Sequence, residues 1–155
     1  MYSVKDTEKR QVARALDQTA KQLAGIKTPR GGWIMSMRKA LGMSAPALAR
    51  RAGVTKAAIY QAERKELDGG VTLKHMEKLA KALRGRFVYA IVPENSIEDV
   101  IHGQARAKVE AIVKRASAHM ILEKQSLSSE HVQRQIEELT EGLLRELPAD
   151  FWEAQ

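Results

Sequence analysis

The stretch from Leu41 to Glu63 constrains the fold more tightly than any other part of the chain, because it spells out where two short helices start and stop. Ser44 can cap a helix by accepting a backbone N–H that the first turn leaves unpaired, and Pro46 suits that opening turn, where no intrahelical donor is needed. Leu48 and Ala49 face inward and Arg50 and Arg51 stay in solvent. The helix stops at Ala52-Gly53, since glycine readily takes the left-handed conformation of a tight turn. Val54 plugs the space between the helices, and Thr55 caps a second helix from about Lys56 to Arg64, with Ile59 and Ala62 turned toward the core.

The opposite face of that second helix carries Lys56, Ala57, Tyr60, Gln61 and Arg64. Two helices about a glycine turn, with the second one polar outside, form the arrangement that lays a helix in the DNA major groove. Small side chains at Ala57 and Ala58 allow a deep approach. Lys56 and Gln61 can then reach base edges, and an alanine methyl can touch a thymine methyl. Tyr60 is counted with them, although it could equally lie over the sugar-phosphate backbone.

The pattern Ser44-x-x-x-Leu48-Ala49-x-x-x-Gly53-Val54-Thr55-x-x-x-Ile59-x-x-x-Glu63 resembles the helix-turn-helix domain of the phage repressor and Cro (XRE) class, over Trp33 to about Leu83. The resemblance implies base contacts from Lys56, Ala57 and Gln61, and an ion pair between Arg38 and Glu63 that holds Arg38 against a DNA phosphate. It implies further phosphate contacts from Ser44 and from Arg64 and Lys65, with which Thr55 is grouped. Ala45 departs from the pattern, because many members carry there a Gln that reaches the DNA backbone.

A wider set of segments, Pro29-Arg-Gly-Gly-Trp-Ile34, Thr72-Leu73, Arg86-Phe-Val-Tyr-Ala-Ile-Val-Pro93 and Ile136-Glu-Glu-Leu139, is similar to the family called mobile mystery protein A. That family occurs on mobile elements, typically beside a gene for a Fic-domain protein. The resemblance implies a regulator of such an operon, with an antitoxin-like protein that binds the Fic partner through its C-terminal helices as the alternative. Fic-inhibiting antitoxins usually carry Ser/Thr-x-x-x-Glu-Gly/Asn. Here Glu141-Gly142 follows Glu137, so inhibition through that motif is not expected.

Charge distribution points the same way. Residues 31–86 carry 12 Lys and Arg against 4 acids, whereas residues 126–155 carry 2 against 7. A basic surface over the helix-turn-helix suits phosphate binding with counterion release, and the acidic end would face away from DNA or meet a basic partner. Without cysteine there is neither a disulfide framework nor a thiolate metal site. His75, His102, His119 and His131 lack helical zinc spacing, and no Gly-x-Ser-x-Gly or Walker-type loop is present, so no catalytic residue, metal or cofactor is expected. Neither a signal-peptide core nor an apolar run of the ~18 residues that could span a bilayer is seen. A cytoplasmic, non-enzymatic protein without membrane contact is expected.

Around the central motif the chain reads as mostly α. Four segments are expected: an N-terminal amphipathic helix (1–28), the DNA-binding domain (29–86), a β-strand (87–93) and a C-terminal helical hairpin (94–155). Val12, Ala15, Leu16, Thr19, Ala20 and Leu23 form the stripe of the first helix, and Trp33, Ile34, Met37 and Leu41 the inward stripe of the second. Lys65 to Gly70 reads as a loop before a helix capped by Thr72. Phe87, Val88, Tyr89, Ala90, Ile91 and Val92 have strand composition and stop at Pro93. A lone strand must pair its edge, most simply with its own copy across a two-fold axis, so a homodimer on a palindromic operator in double-stranded DNA is expected, with half-sites about one helical turn apart. In the hairpin, one stripe runs from Ile97 through Val100, Ile101, Ala105, Val109, Ile112, Val113 and Ala116 to Met120. The other comprises Val132, Ile136, Leu139, Leu143 and Leu147, capped by Ser128 or Ser129.

Overall fold

The computed structural model describes residues 4–122 and 128–153. Seven helices are found there: α1 (Val4–Leu23), α2 (Gly32–Ala40), α3 (Ala45–Ala52), α4 (Lys56–Leu67), α5 (Leu73–Ala82), α6 (Ile97–Leu122) and α7 (Ser129–Glu146). The chain divides into two compact units, one of residues 25–91 and one joining the segment up to residue 24 with the segment from residue 92 onward.

In the first unit, α2 to α5 close around Ile34, Leu48, Ile59, Leu79 and Leu83, with small alanines between the helices. The starts of α3, α4 and α5 are capped as the local chemistry requires: Ser44 Oγ accepts from Ala47 N at 3.2 Å, Thr55 Oγ1 from Ala58 N at 3.1 Å and Thr72 Oγ1 from His75 N at 3.2 Å. Gly53 ends α3 in the left-handed region (φ 66°), and Val54 N reaches back to Ala49 O at 3.0 Å. Arg51 is not simply solvated, since its Nε donates to Ala82 O at 2.7 Å and ties the end of α3 to the end of α5. Nor is Lys65 in a loop: α4 continues through it to Leu67.

Two further expectations fail. Of the supposed inward stripe of α2 only Ile34 is buried, while Trp33, Met37 and Leu41 remain 40–47% exposed and Arg38 takes the inner position. The strand over 87–93 is also absent. These residues have no regular secondary structure, no strand occurs among the described residues, and the backbone here makes no ladder bond. β-branched and aromatic composition favours a strand only when a neighbouring edge takes up the backbone donors and acceptors, and the described residues of this single chain provide none. Val88, Tyr89 and Ile91 are left 64%, 68% and 91% exposed.

In the second unit, α6 and α7 form a hairpin around Val109, Val113 and Ile136, with Val132 and Leu143 packed against them. Ser128 caps α7 through His131 N. The expected stripes are only partly covered: Val100, Ile112, Leu139 and Leu147 are 42–46% exposed, whereas Lys108 and Thr140 are buried. The Met120 side chain lies outside the described residues. Helix α1 buries none of its residues, though it meets α6, and Asp17 Oδ1 accepts from Ile97 N at 2.9 Å in the first turn of α6. After α7 the chain turns at Leu147 and seats Phe151 in the core; Gln104 Nε2 donates to Phe151 O at 2.8 Å and Lys108 Nζ donates to Asp150 O.

Candidate nucleic-acid interface

Helix α4 is two-faced because its buried residues recur every three or four positions. Ile59, Ala62 and Glu63 point into the unit, while Lys56, Ala57, Tyr60, Gln61 and Arg64 are all exposed on the other side, with Lys65 beside them. The side chains of the expected base-reading set therefore share one open face. Ala57 keeps the start of that face shallow. Lys56 Nζ lies 5.7 Å from the centroid of the Tyr60 ring, within cation–π range, so the two long side chains lie along each other.

Ser44 and Thr55 are exposed at the starts of α3 and α4. Each hydroxyl oxygen already accepts a backbone N–H, which leaves its O–H proton to donate. A phosphate oxygen accepts only, so two capping hydroxyls can serve a helix start and a DNA backbone at once.

Arg38 and Glu63 meet as expected, but inside the unit. Arg38 Nε donates to Glu63 Oε1 at 2.7 Å and Nη2 to Oε2 at 3.2 Å, while Nη1 donates to Met43 O at 3.1 Å. The two side chains are 11% and 7% exposed. The hydrogen bond that Arg38 donates to Glu63 raises the Arg38 pKa above the ordinary guanidinium value and outweighs burial, which acts in the opposite direction. With three of its five N–H groups committed, Arg38 retains two for any further acceptor. Its firmest connection is between α2 and α4.

One residue on α4 has a role that the sequence reading missed. Glu66, one turn beyond Glu63, accepts from Trp33 N at 2.6 Å and from Ile34 N at 3.0 Å at the start of α2. No local pattern announces it, since the partners are 33 and 32 residues apart in sequence. The only signal was negative: neither Gly31 nor Gly32 can offer α2 a side-chain cap.

The expected dimerisation residues lie away from this face in sequence. Phe87 is half-buried and its ring stacks on Tyr89 at 5.7 Å between centroids, while Val88, Tyr89, Ala90 and Ile91 are exposed and Val92 is half-buried. Among the described residues no group of three His, Cys, Asp or Glu side chains could hold a metal ion, and no helix is long and apolar enough to cross a membrane.

Residues 34–89 match the family model described as Helix-turn-helix. No curated protein and no solved structure matches the chain. The matched segment runs from Ile34, the first buried residue of α2 after its opening glycine, through the whole of α3, α4 and α5. Residues 34–89 are thus a helix-turn-helix domain of the XRE type, and the match supports a DNA-binding regulator.

Proposed function

We propose that this protein is a sequence-specific, dimeric autorepressor of a mobile-element operon that also encodes a Fic-domain protein. The observation that carries the DNA-reading part is the open face of α4, with Lys56, Ala57, Tyr60 and Gln61 outward and Ile59 and Glu63 locked beneath them. Lys56 and Gln61 read base edges, Ala57 touches a thymine methyl and Tyr60 adds a contact at the groove wall. Ser44, Thr55, Arg64 and Lys65 bind phosphates, joined by Arg38 through its two uncommitted N–H groups. The operon assignment rests on the resemblance to mobile mystery protein A.

Dimerisation would use residues 87–92. Their exposed side chains and unladdered backbone favour pairing with the same segment of a second copy, which satisfies both edges by symmetry. Two α4 helices would then meet half-sites about one helical turn apart. Footprinting on DNA upstream of the gene tests the whole reading: a protected palindrome of that spacing is expected, and uniform protection or none would refute it.

A second reading is favoured by the acidic C-terminal segment, in which the apolar Leu139, Leu147 and Trp152 and the acids Glu137, Glu138 and Glu141 are all exposed. In this reading an antitoxin-like surface binds the Fic-domain protein and DNA contact is secondary. Co-purification of the two proteins that is abolished by Trp152→Asp and Leu139→Asp would favour it over the first.

A further inference from the structure

We infer that Glu66 is a positioning residue for the reading helix, fixing the rotation and register of α4 against α2. This rests on the reading of α4 as the helix that contacts bases. Glu63 and Glu66 lie one turn apart on α4 and both hold α2, by different means. Glu63 takes the Arg38 side chain through two hydrogen bonds; Glu66 takes the backbone N–H groups of Trp33 and Ile34.

Along α2 these attachments are separated by four to five residues, or roughly 6–7 Å at the α-helical rise. A single attachment would leave α4 free to swivel about it. Two attachments that far apart remove both the swivel and a slide along the axis. The second one is also electrostatically well placed, because a carboxylate at a helix N-terminus meets unpaired N–H groups and the positive end of the helix dipole.

The approach is close enough to dictate the residue opposite. Gly32 has φ +82°, and a Cβ built there would stand 2.9 Å from Glu66 Oε2. Any side chain at that position is both strained and in collision with the carboxylate. Gly31, at the cap position, supplies no acceptor of its own. The start of α2 thus depends on an acid borrowed from α4, and α4 is held in place by the bond it provides.

Base readout is intolerant of small displacements, since a constellation must be held within ~0.5 Å and ~10–20° of its productive geometry. Loss of Glu66 should therefore reduce discrimination between sequences more than general attraction to DNA. The test uses the full chain with Glu66→Ala, Glu66→Gln, Gly32→Ala and a core control, Leu79→Val, whose side chain makes none of the hydrogen bonds of either attachment. Each is compared at equal folded fraction on a duplex selected by the wild type from a random pool and on a random duplex of equal length.

Glu66→Ala and Gly32→Ala should weaken binding to the selected duplex about tenfold or more, the scale of a lost base contact, and change binding to random DNA less than about twofold. Glu66→Gln, which keeps one accepting oxygen, should fall between, and it carries the test alone if the alanine variant does not fold. Leu79→Val should leave the ratio unchanged. An unchanged ratio in the Glu66 variants, or an equal drop in Leu79→Val, overturns the inference while the reading of α4 survives. A wild type that selects no sequence overturns both.

Discussion

The buried pair between Arg38 and Glu63 offers the sharpest test of how this domain is held together. Arg38→Ala would strand a carboxylate whose side chain is only 7% exposed, remove both of its hydrogen bonds to the guanidinium and leave Met43 O without its Arg38 donor. Breaking one partner from a buried pair costs about 3–5 kcal/mol, since the remaining charge can be neither solvated nor paired. For a small domain with a total stability of roughly 5–15 kcal/mol this is a large share. With a urea dependence of about 1–3 kcal/mol per molar, the midpoint should fall by roughly 1–5 M.

The double variant Arg38→Met/Glu63→Leu removes both charges, and replacing a buried pair by apolar side chains is often neutral or stabilising. It should therefore be clearly more stable than Arg38→Ala, even with Met43 O short of a donor. Urea unfolding followed by circular dichroism gives the coupling between the sites. A cost below about 1 kcal/mol for Arg38→Ala, or a double variant as unstable as the two single changes added together, would refute the picture of a desolvated pair. The pH dependence has a defined sign. Because the folded-state pKa of Arg38 is raised, its stabilisation is complete below the ordinary guanidinium value and is lost only as pH climbs through the raised one. Titration from pH 7 to 10 should release none of it.

Further outcomes follow from the same geometry. Lys56→Ala and Gln61→Ala should each relax base preference by about 1–3 kcal/mol in competition binding, whereas Arg64→Ala or Lys65→Ala should weaken all sequences alike and lower the salt slope by about one. Ile91→Asp should abolish a dimer seen by light scattering without altering the folded content, and a concentration-independent monomer in the wild type would remove the dimer altogether. Gly53→Ala meets no atom within 4 Å but forces a Cβ into φ 66°, so a loss of about 1–2 kcal/mol in thermal unfolding is expected from backbone strain alone. Phe151→Ala, at a site 2% exposed, should cost about 3–5 kcal/mol, read as a lowered unfolding midpoint.

What could be read from the sequence was local. Ser44, Thr55, Thr72 and Ser128 cap their helices because capping joins a side chain to a backbone three residues on, and Gly53 ends α3 through bonds within one turn. The open face of α4 followed from helical periodicity, with Ile59 and Ala62 as its buried counterpart. Periodicity could not say which of two adjacent arcs on α2 would be covered. Trp33, Met37 and Leu41 form one arc and Ile34 and Arg38 the next, and apolar content alone favoured the wrong one. The charged arc goes inward because Glu63 waits there. The same blindness to distant partners hid Glu66, Lys108 and the tie from Arg51 to Ala82, and turned the composition of residues 87–92 into a strand without an edge to pair with.

These non-local polar contacts share a physical logic that apolar packing does not provide. Half of the buried core of the domain is alanine, set between Ile34, Leu48, Ile59, Leu79 and Leu83. Burial of Ile59 sets the rotation of α4 only coarsely, because small side chains let helices approach closely but interlock less than large ones, leaving modest rotations to be decided by other contacts. Directional bonds discriminate among those rotations. An Arg–carboxylate fork accepts one mutual orientation, and a carboxylate on two successive N–H groups accepts another. A buried pair contributes little net stability compared with apolar substitutes, so its retention beneath the reading face is better explained by geometry. If so, the Arg38→Met/Glu63→Leu variant should remain folded and still bind DNA, while losing much of its preference for the selected duplex. Preserved preference in that variant would mean that apolar packing and the Glu66 attachment orient α4 without the buried pair.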